Sequence, residues 1–150
     1  MFTFGREHEK KCAASYFRAP SDPSMLLGLI DRVHDLIEGK AIPSDVKTCI
    51  MECFTTGGVR TWEGAGYWLA KAQSDYPQLE EIWALLANHP RAEIRSRVAC
   101  FMDCMPSNVL SVVAPALLSD KSRKVAETAG RCMPAGPNNS FKPNPLRGSA

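Results

Sequence analysis

Six cysteines and three histidines are the residues of this 150-residue chain with the most chemistry to offer. Cys49 and Cys53 stand four apart, as do Cys100 and Cys104, and His8 and Cys12; on a helix that spacing puts two side chains on one face. Two facing cysteine pairs would supply four thiolates to zinc. However, Cys49 and Cys53 fall within an apolar stripe, where a free cysteine behaves as a small hydrophobe. Structural zinc sites also favour the tighter C-x-x-C knuckle. Cys49, Cys53, Cys100 and Cys104 therefore remain an alternative metal set, and no cofactor is expected.

Nucleophilic catalysis finds less support. His89 precedes Pro90 in a turn, and His34, beside Asp35, is placed at the solvent edge of a helix. No serine elbow, H-E-x-x-H pair or phosphate loop accompanies them. The glycines of "TTGGVRT" lack a lysine and a flanking strand. Glu80 and Glu81 are adjacent, so they point in different directions from a helix. No catalytic residue is expected, and the chain reads as non-enzymatic.

Charge is the next signal. The net value is only +2, but its distribution is uneven. Arg91 to Met133 holds seven bases and four acids, whereas Thr61 to Pro90 holds one base and four acids. A basic end beside an acidic middle orients a partner. The amino-terminal "MFTFGREHEKK" has no apolar core of signal-peptide length, and no run is long enough to span a membrane. A cytoplasmic chain with reduced thiols is the expectation.

The elements that position these residues read as about seven helices and no strand. Asp22 and Pro23 open a helix with Leu26, Leu29, Ile30, Val33 and Ile37 on one face, stopped by Gly39. Val46, Cys49, Ile50, Cys53 and Phe54 follow at i, i+3, i+4, i+7, i+8. The third helix, "TWEGAGYWLAKAQSDY", is weakened by Gly64 and Gly66, each costing about 1 kcal/mol relative to Ala. Pro77 starts a fourth, with Leu79, Ile82, Trp83 and Leu86. Pro90 starts a fifth, running through Ile94, Val98 and Phe101 to Met105. Pro106 opens a sixth, in which Pro115 predicts a kink. A seventh spans about Asp120 to Met133. "REHEKKCAASYF" reads as either a short extra helix or a loose arm. Residues 1–133 form one domain, and the Pro- and Asn-rich 134–150 read as a flexible tail.

Ile94 and Val125 lie 31 residues apart, as do Val98 and Ala129. Helix, short polar turn and helix recurring at such a period mark a helical solenoid, in which each amphipathic pair buries its face on the next. On these residues the chain resembles the HEAT-repeat family over about residues 23–133. The family's helix, turn with Asp, then Val-Arg pattern matches Val46, Ile94 and Val125 for Val, Arg95 and loosely Lys47 for Arg, and Asp120 for the turn Asp. The resemblance implies an all-α, short right-handed α-α superhelix of helix pairs. It also implies that the second helices line one shared surface.

If so, Lys47, Met51, Glu52, Arg95, Lys124 and Arg131 project to one side, with Arg91 and Arg97 adjoining and Trp62 on the inserted helix as an apolar anchor. Such a surface suits one protein partner with an acidic face. A freestanding chain this short reads as a dedicated binder, and the favoured reading is a small bacterial immunity protein that occludes the active site of a cytoplasmic toxin. A nucleic-acid backbone is the second choice, because acids interrupt the basic run and few aromatics interleave. A thiol- or metal-dependent regulator is the third. No membrane contact is expected.

Overall fold

The computed structural model describes residues 1–135, and all of their regular structure is helical. Eight α-helices follow one another: α1 (Arg6–Ser15), α2 (Ser24–Ile37), α3 (Pro43–Thr56), α4 (Val59–Ala72), α5 (Glu81–Ala87), α6 (Ala92–Ala99), α7 (Ser107–Leu118) and α8 (Arg123–Cys132). Short 3₁₀ turns at Pro77–Glu80 and Met102–Cys104 flank α5 and α6. Residues 136–150 of the expected tail lie outside the described residues.

The helices assemble locally. Helix α2 packs on α3, both pack on α4, and α1 lies across α2. Further on, α5 pairs with α6 and α7 with α8; α5 then stacks on α7 and α6 on α8. Helix α3 touches both α5 and α6, joining the two groups. One continuous apolar cluster runs from Leu26 to Ala129. Val46, Ile94 and Val125, the three residues matched to the Val of the HEAT-like pattern, are all fully buried.

Where α3, α4, α5 and α6 meet, the core is aromatic. Phe54, Trp62, Trp83 and Phe101 have ring centroids 5.8–6.5 Å apart, mostly edge to face, the arrangement that ring quadrupoles favour. Fully burying a side chain the size of Phe54 contributes on the order of 2–3 kcal/mol. The indole N–H of fully buried Trp83 donates to Gln73 Oε1 at 2.8 Å, and Gln73 Nε2 donates to the Cys104 carbonyl at 2.8 Å. No polar atom is stranded by this burial.

Several boundaries differ from the sequence reading. The fifth helix does not reach Met105. It ends at Ala99 as α6, because Phe101 turns inward to the aromatic cluster and Met102–Cys104 closes as a 3₁₀ turn. Cys100 and Cys104 therefore do not share a helical face. Pro115 lies inside α7 at an exposed position, where the carbonyl its ring leaves unpaired, that of exposed Ser111, is reachable by water. "REHEKKCAAS" is a helix rather than an arm.

The two glycines that weaken α4 have a packing cause. A Cβ on Gly66 would stand 2.1 Å from Phe101 Cζ, and one on Gly64 would stand 2.5 Å from Leu26 Cδ2. The leucine tip is a flexible end, but the Phe101 ring is held among Phe54, Trp62 and Trp83. Gly66→Ala thus gains about 1 kcal/mol of helix propensity and loses more than that to overpacking. The expected net effect is a destabilisation of about 1–2 kcal/mol in urea unfolding; a variant as stable as the wild type or more so would show that Phe101 is not pinned against α4.

Candidate functional site

Helix α1 is held by charge. Arg6 reaches Asp35 at 2.8 Å, Glu38 at 3.2 Å and Asp31 at 3.4 Å, and Lys10 reaches Asp31 at 2.9 Å. Glu9 points inward. Its carboxylate is 2.7 Å from His34 Nε2 and 3.4 Å from Lys71 Nζ, and it accepts the Phe4 amide N–H at 3.0 Å. His34 is buried rather than at the solvent edge, because α1 covers its face of α2. Burial pushes the Glu9 carboxyl up, but the His34 hydrogen bond, the Phe4 amide and the Lys71 charge outweigh it and leave the pKa below the ordinary carboxylate range.

This attachment leaves a groove of 570 Å³ between α1 and α4. Phe4, His8, Cys12 and Tyr16 form one wall at four-residue spacing, running from the residues that precede α1 to the one that ends it. Arg60, Glu63, Tyr67 and Lys71 form the other, with Trp68 and Leu26 at the floor. The size suits an apolar anchor or a small ligand. Phe4 and Tyr16 are each 70 % exposed, Tyr67 is 59 % exposed, and Phe2 stacks edge-on against Phe4 at 5.1 Å. Lys71 Nζ sits 4.8 Å from the Trp68 ring centroid, so its charge is matched by Glu9 and by an aromatic face. His8 Nε2 lies 3.5 Å from Cys12 Sγ on the α1 wall.

No family model, no curated protein and no solved structure matches the chain.

The residues singled out in the sequence scatter. Arg95 is not on a surface. Its guanidinium is bidentate to Asp120, at 2.7 and 3.0 Å, and donates to the His89 and Pro90 carbonyls at 2.8 and 2.9 Å; both side chains of the ion pair are only 8 % exposed. Asp120 is held below the ordinary carboxylate range chiefly by that bond. Arg97 is also structural. It donates to the Phe54 and Gly57 carbonyls at 2.6 and 3.2 Å, satisfying the open C-terminal end of α3, and lies 5.8 Å from the Trp62 ring. Arg91 adds a bond to the Thr55 carbonyl and pairs with Glu93, yet stays exposed. Lys47 pairs with Glu81 at 2.7 Å. Met51 and Trp62 are half-buried, while Glu52, Lys124 and Arg131 are exposed.

The cysteines do not assemble as the alternative metal set requires. Cys53 is sealed in the core with its thiol pushed up to about 12 by burial, and burial raises Cys49 as well. Among the described residues no three His, Cys, Asp or Glu side chains are grouped to hold a metal.

The groove wall was missed in the sequence because α1 has no apolar stripe. Its signal was the four-residue ladder of Phe4, His8, Cys12 and Tyr16, of which His8 and Cys12 alone were noted. Because the folded Glu9 carboxyl is depressed, its stabilising contribution is present above about pH 4.3 and is lost as pH falls below that value. Glu9→Gln should lower the thermal midpoint near pH 6, and its difference from the wild type should shrink as pH falls from there through the depressed folded pKa of Glu9. A constant difference across that range would show that the carboxylate charge does not hold α1.

Proposed function

We propose that this chain is a non-enzymatic protein-binding module and that its contact face is the aromatic groove between α1 and α4. The observation that carries the reading is the cluster of exposed rings, Phe2, Phe4, Tyr16 and Tyr67, at the mouth of a groove whose walls are already fixed by Arg6, Glu9 and the core. Large rings left in water cost solvation, and tyrosine is among the residues that dominate binding energy when an interface covers them. Fixed walls reduce the ordering cost of association.

The finer architectural reading is a short right-handed superhelix of HEAT-like pairs. It is supported by the stacking of α5 on α7 and α6 on α8, and by the Arg95–Asp120 bond between successive turns. The partner is a protein with an acidic surface. Exposed Lys124 and Arg131 on α8, with Arg91, supply steering, while the rings supply the buried anchors. In its narrowest form the reading is a bacterial immunity protein that occludes the active site of a cytoplasmic toxin.

Co-expression of the tagged chain with its genomic neighbours, followed by affinity capture, tests this. A stoichiometric protein complex is expected, weakened about tenfold or more by Phe4→Ala or Tyr67→Ala. Lys124→Glu should slow association and flatten its salt dependence with little effect on dissociation. A complex indifferent to Phe4 and Tyr67 would remove the groove from the account. Binding to nucleic acid alone, with a steep loss in salt, would overturn the protein reading.

A further inference from the structure

The register that stacks α6 on α8 also brings two thiols together. Ser96 and Thr128 stand 32 positions apart, and their hydroxyls meet at 3.5 Å. Four residues on from each stand Cys100 and Cys132, again 32 apart. Because α6 packs on α8 and the Ser96–Thr128 contact sets their register, the residues one helical turn further on in each place both thiols on the same seam. Cys100 Sγ donates to the Ser96 carbonyl at 3.5 Å, which turns the thiol back along α6. Cys100 is exposed and Cys132 half-buried, so reagents in solvent can reach the pair. The remaining four cysteines lie elsewhere: Cys53 is in the core, Cys49 is half-buried on α3, Cys104 turns to Asp103 and Cys12 faces His8.

We propose that Cys100 and Cys132 are a reversible disulfide-forming site, oxidised by small-molecule disulfides such as glutathione disulfide, which staples α8 to α6. The Cys100 thiolate attacks one sulfur of the small disulfide. One glutathione leaves as a thiolate and takes up the proton that Cys100 released. The Cys132 thiolate then attacks the Cys100 sulfur of the mixed disulfide, and the second glutathione leaves and is protonated in turn. Two protein thiols are oxidised to one disulfide, and one glutathione disulfide is reduced to two glutathiones. Burial raises the Cys100 thiol, and its neighbour Cys132 raises it further against the opposing charge of Arg131, so exchange accelerates as pH rises above neutrality. The closed loop ties the α7–α8 pair to the α5–α6 pair across the α6–α8 contact, and such cross-links stabilise by restricting the unfolded chain.

The test uses the full chain, incubated with glutathione disulfide and analysed by intact mass and by peptide mapping without reduction. The expected product has lost two hydrogens, carries a Cys100–Cys132 cross-link, reverts with a dithiol reductant and unfolds at a midpoint higher by about 5 °C or more. Cys132→Ser should stop at one glutathione on Cys100, because the resolving thiol is gone. Cys104→Ser should still form the cross-link. Exclusive linkage of Cys100 to Cys104, or separate glutathiones persisting on Cys100 and Cys132 in the wild type, would overturn the proposal.

Discussion

A guanidinium taken out of water must find an acceptor for nearly every N–H it carries, or the helices around it do not close. Arg95 meets that demand within two turns of chain. Its own turn supplies the carbonyls of His89 and Pro90, and the next turn supplies both oxygens of Asp120. Asp120 is matched in its own right, accepting the Ser122 amide at 2.8 Å just before α8 begins. The bond therefore fixes where the second pair starts relative to the first. With α6 packed on α8 in that register, Ile94, Val98, Val125 and Ala129 lie in one buried cluster, and Ser96 meets Thr128. Apolar burial supplies most of the stabilisation, but a stripe of small and branched side chains tolerates slippage; the buried ion pair does not.

The same device recurs with different chemistry at the other joints. Arg97 crosses from α6 to the carbonyl end of α3, and Arg6 and Glu9 cross from α1 to α2 and α4. Between these polar ties lies the aromatic cluster, with Gly66 giving Phe101 room against α4. Much of the basic character seen in the sequence is thus consumed in holding the frame. What remains available is the exposed face of α8 and, on the opposite chemistry, the ring-lined groove beside α1. The walls of that groove are held in place by internal ion pairs.

Periodicity made the helices from Asp22 to Met133 legible, because each carries an apolar stripe that the core requires. It placed Val46, Ile94 and Val125 in the interior and singled out the two glycines of α4 without giving their cause. It left α1 open between a helix and an arm, because half of its ten residues are charged and its anchors lie on α2 and α4, more than twenty positions away. It also took Arg95 and Arg97 as surface residues. Nothing in the helical pattern marks the row of carbonyls that waits for Arg97 in another turn. The resemblance to HEAT repeats, in contrast, matched Arg95 and Asp120 to the family's Arg and turn Asp and so carried a sign of their pairing. The end of α6 was misjudged for a related reason, since Phe101 fits a helical stripe as well as it fits the ring cluster that bends it away. The groove, and the meeting of Cys100 with Cys132, follow from packing between elements, which spacing within one element cannot show.

The Arg95–Asp120 bond is the tie that sets the register of the helices around it, and a double-mutant cycle in urea unfolding measures it directly. Arg95→Met and Asp120→Leu should each cost about 3 kcal/mol by leaving the other charge buried without its partner. The double variant should cost far less than their sum, giving a coupling of at least about 1 kcal/mol. Singles that each cost less than about 0.5 kcal/mol and simply add would mean that the turns are not held by this pair, and that apolar stacking alone sets the register.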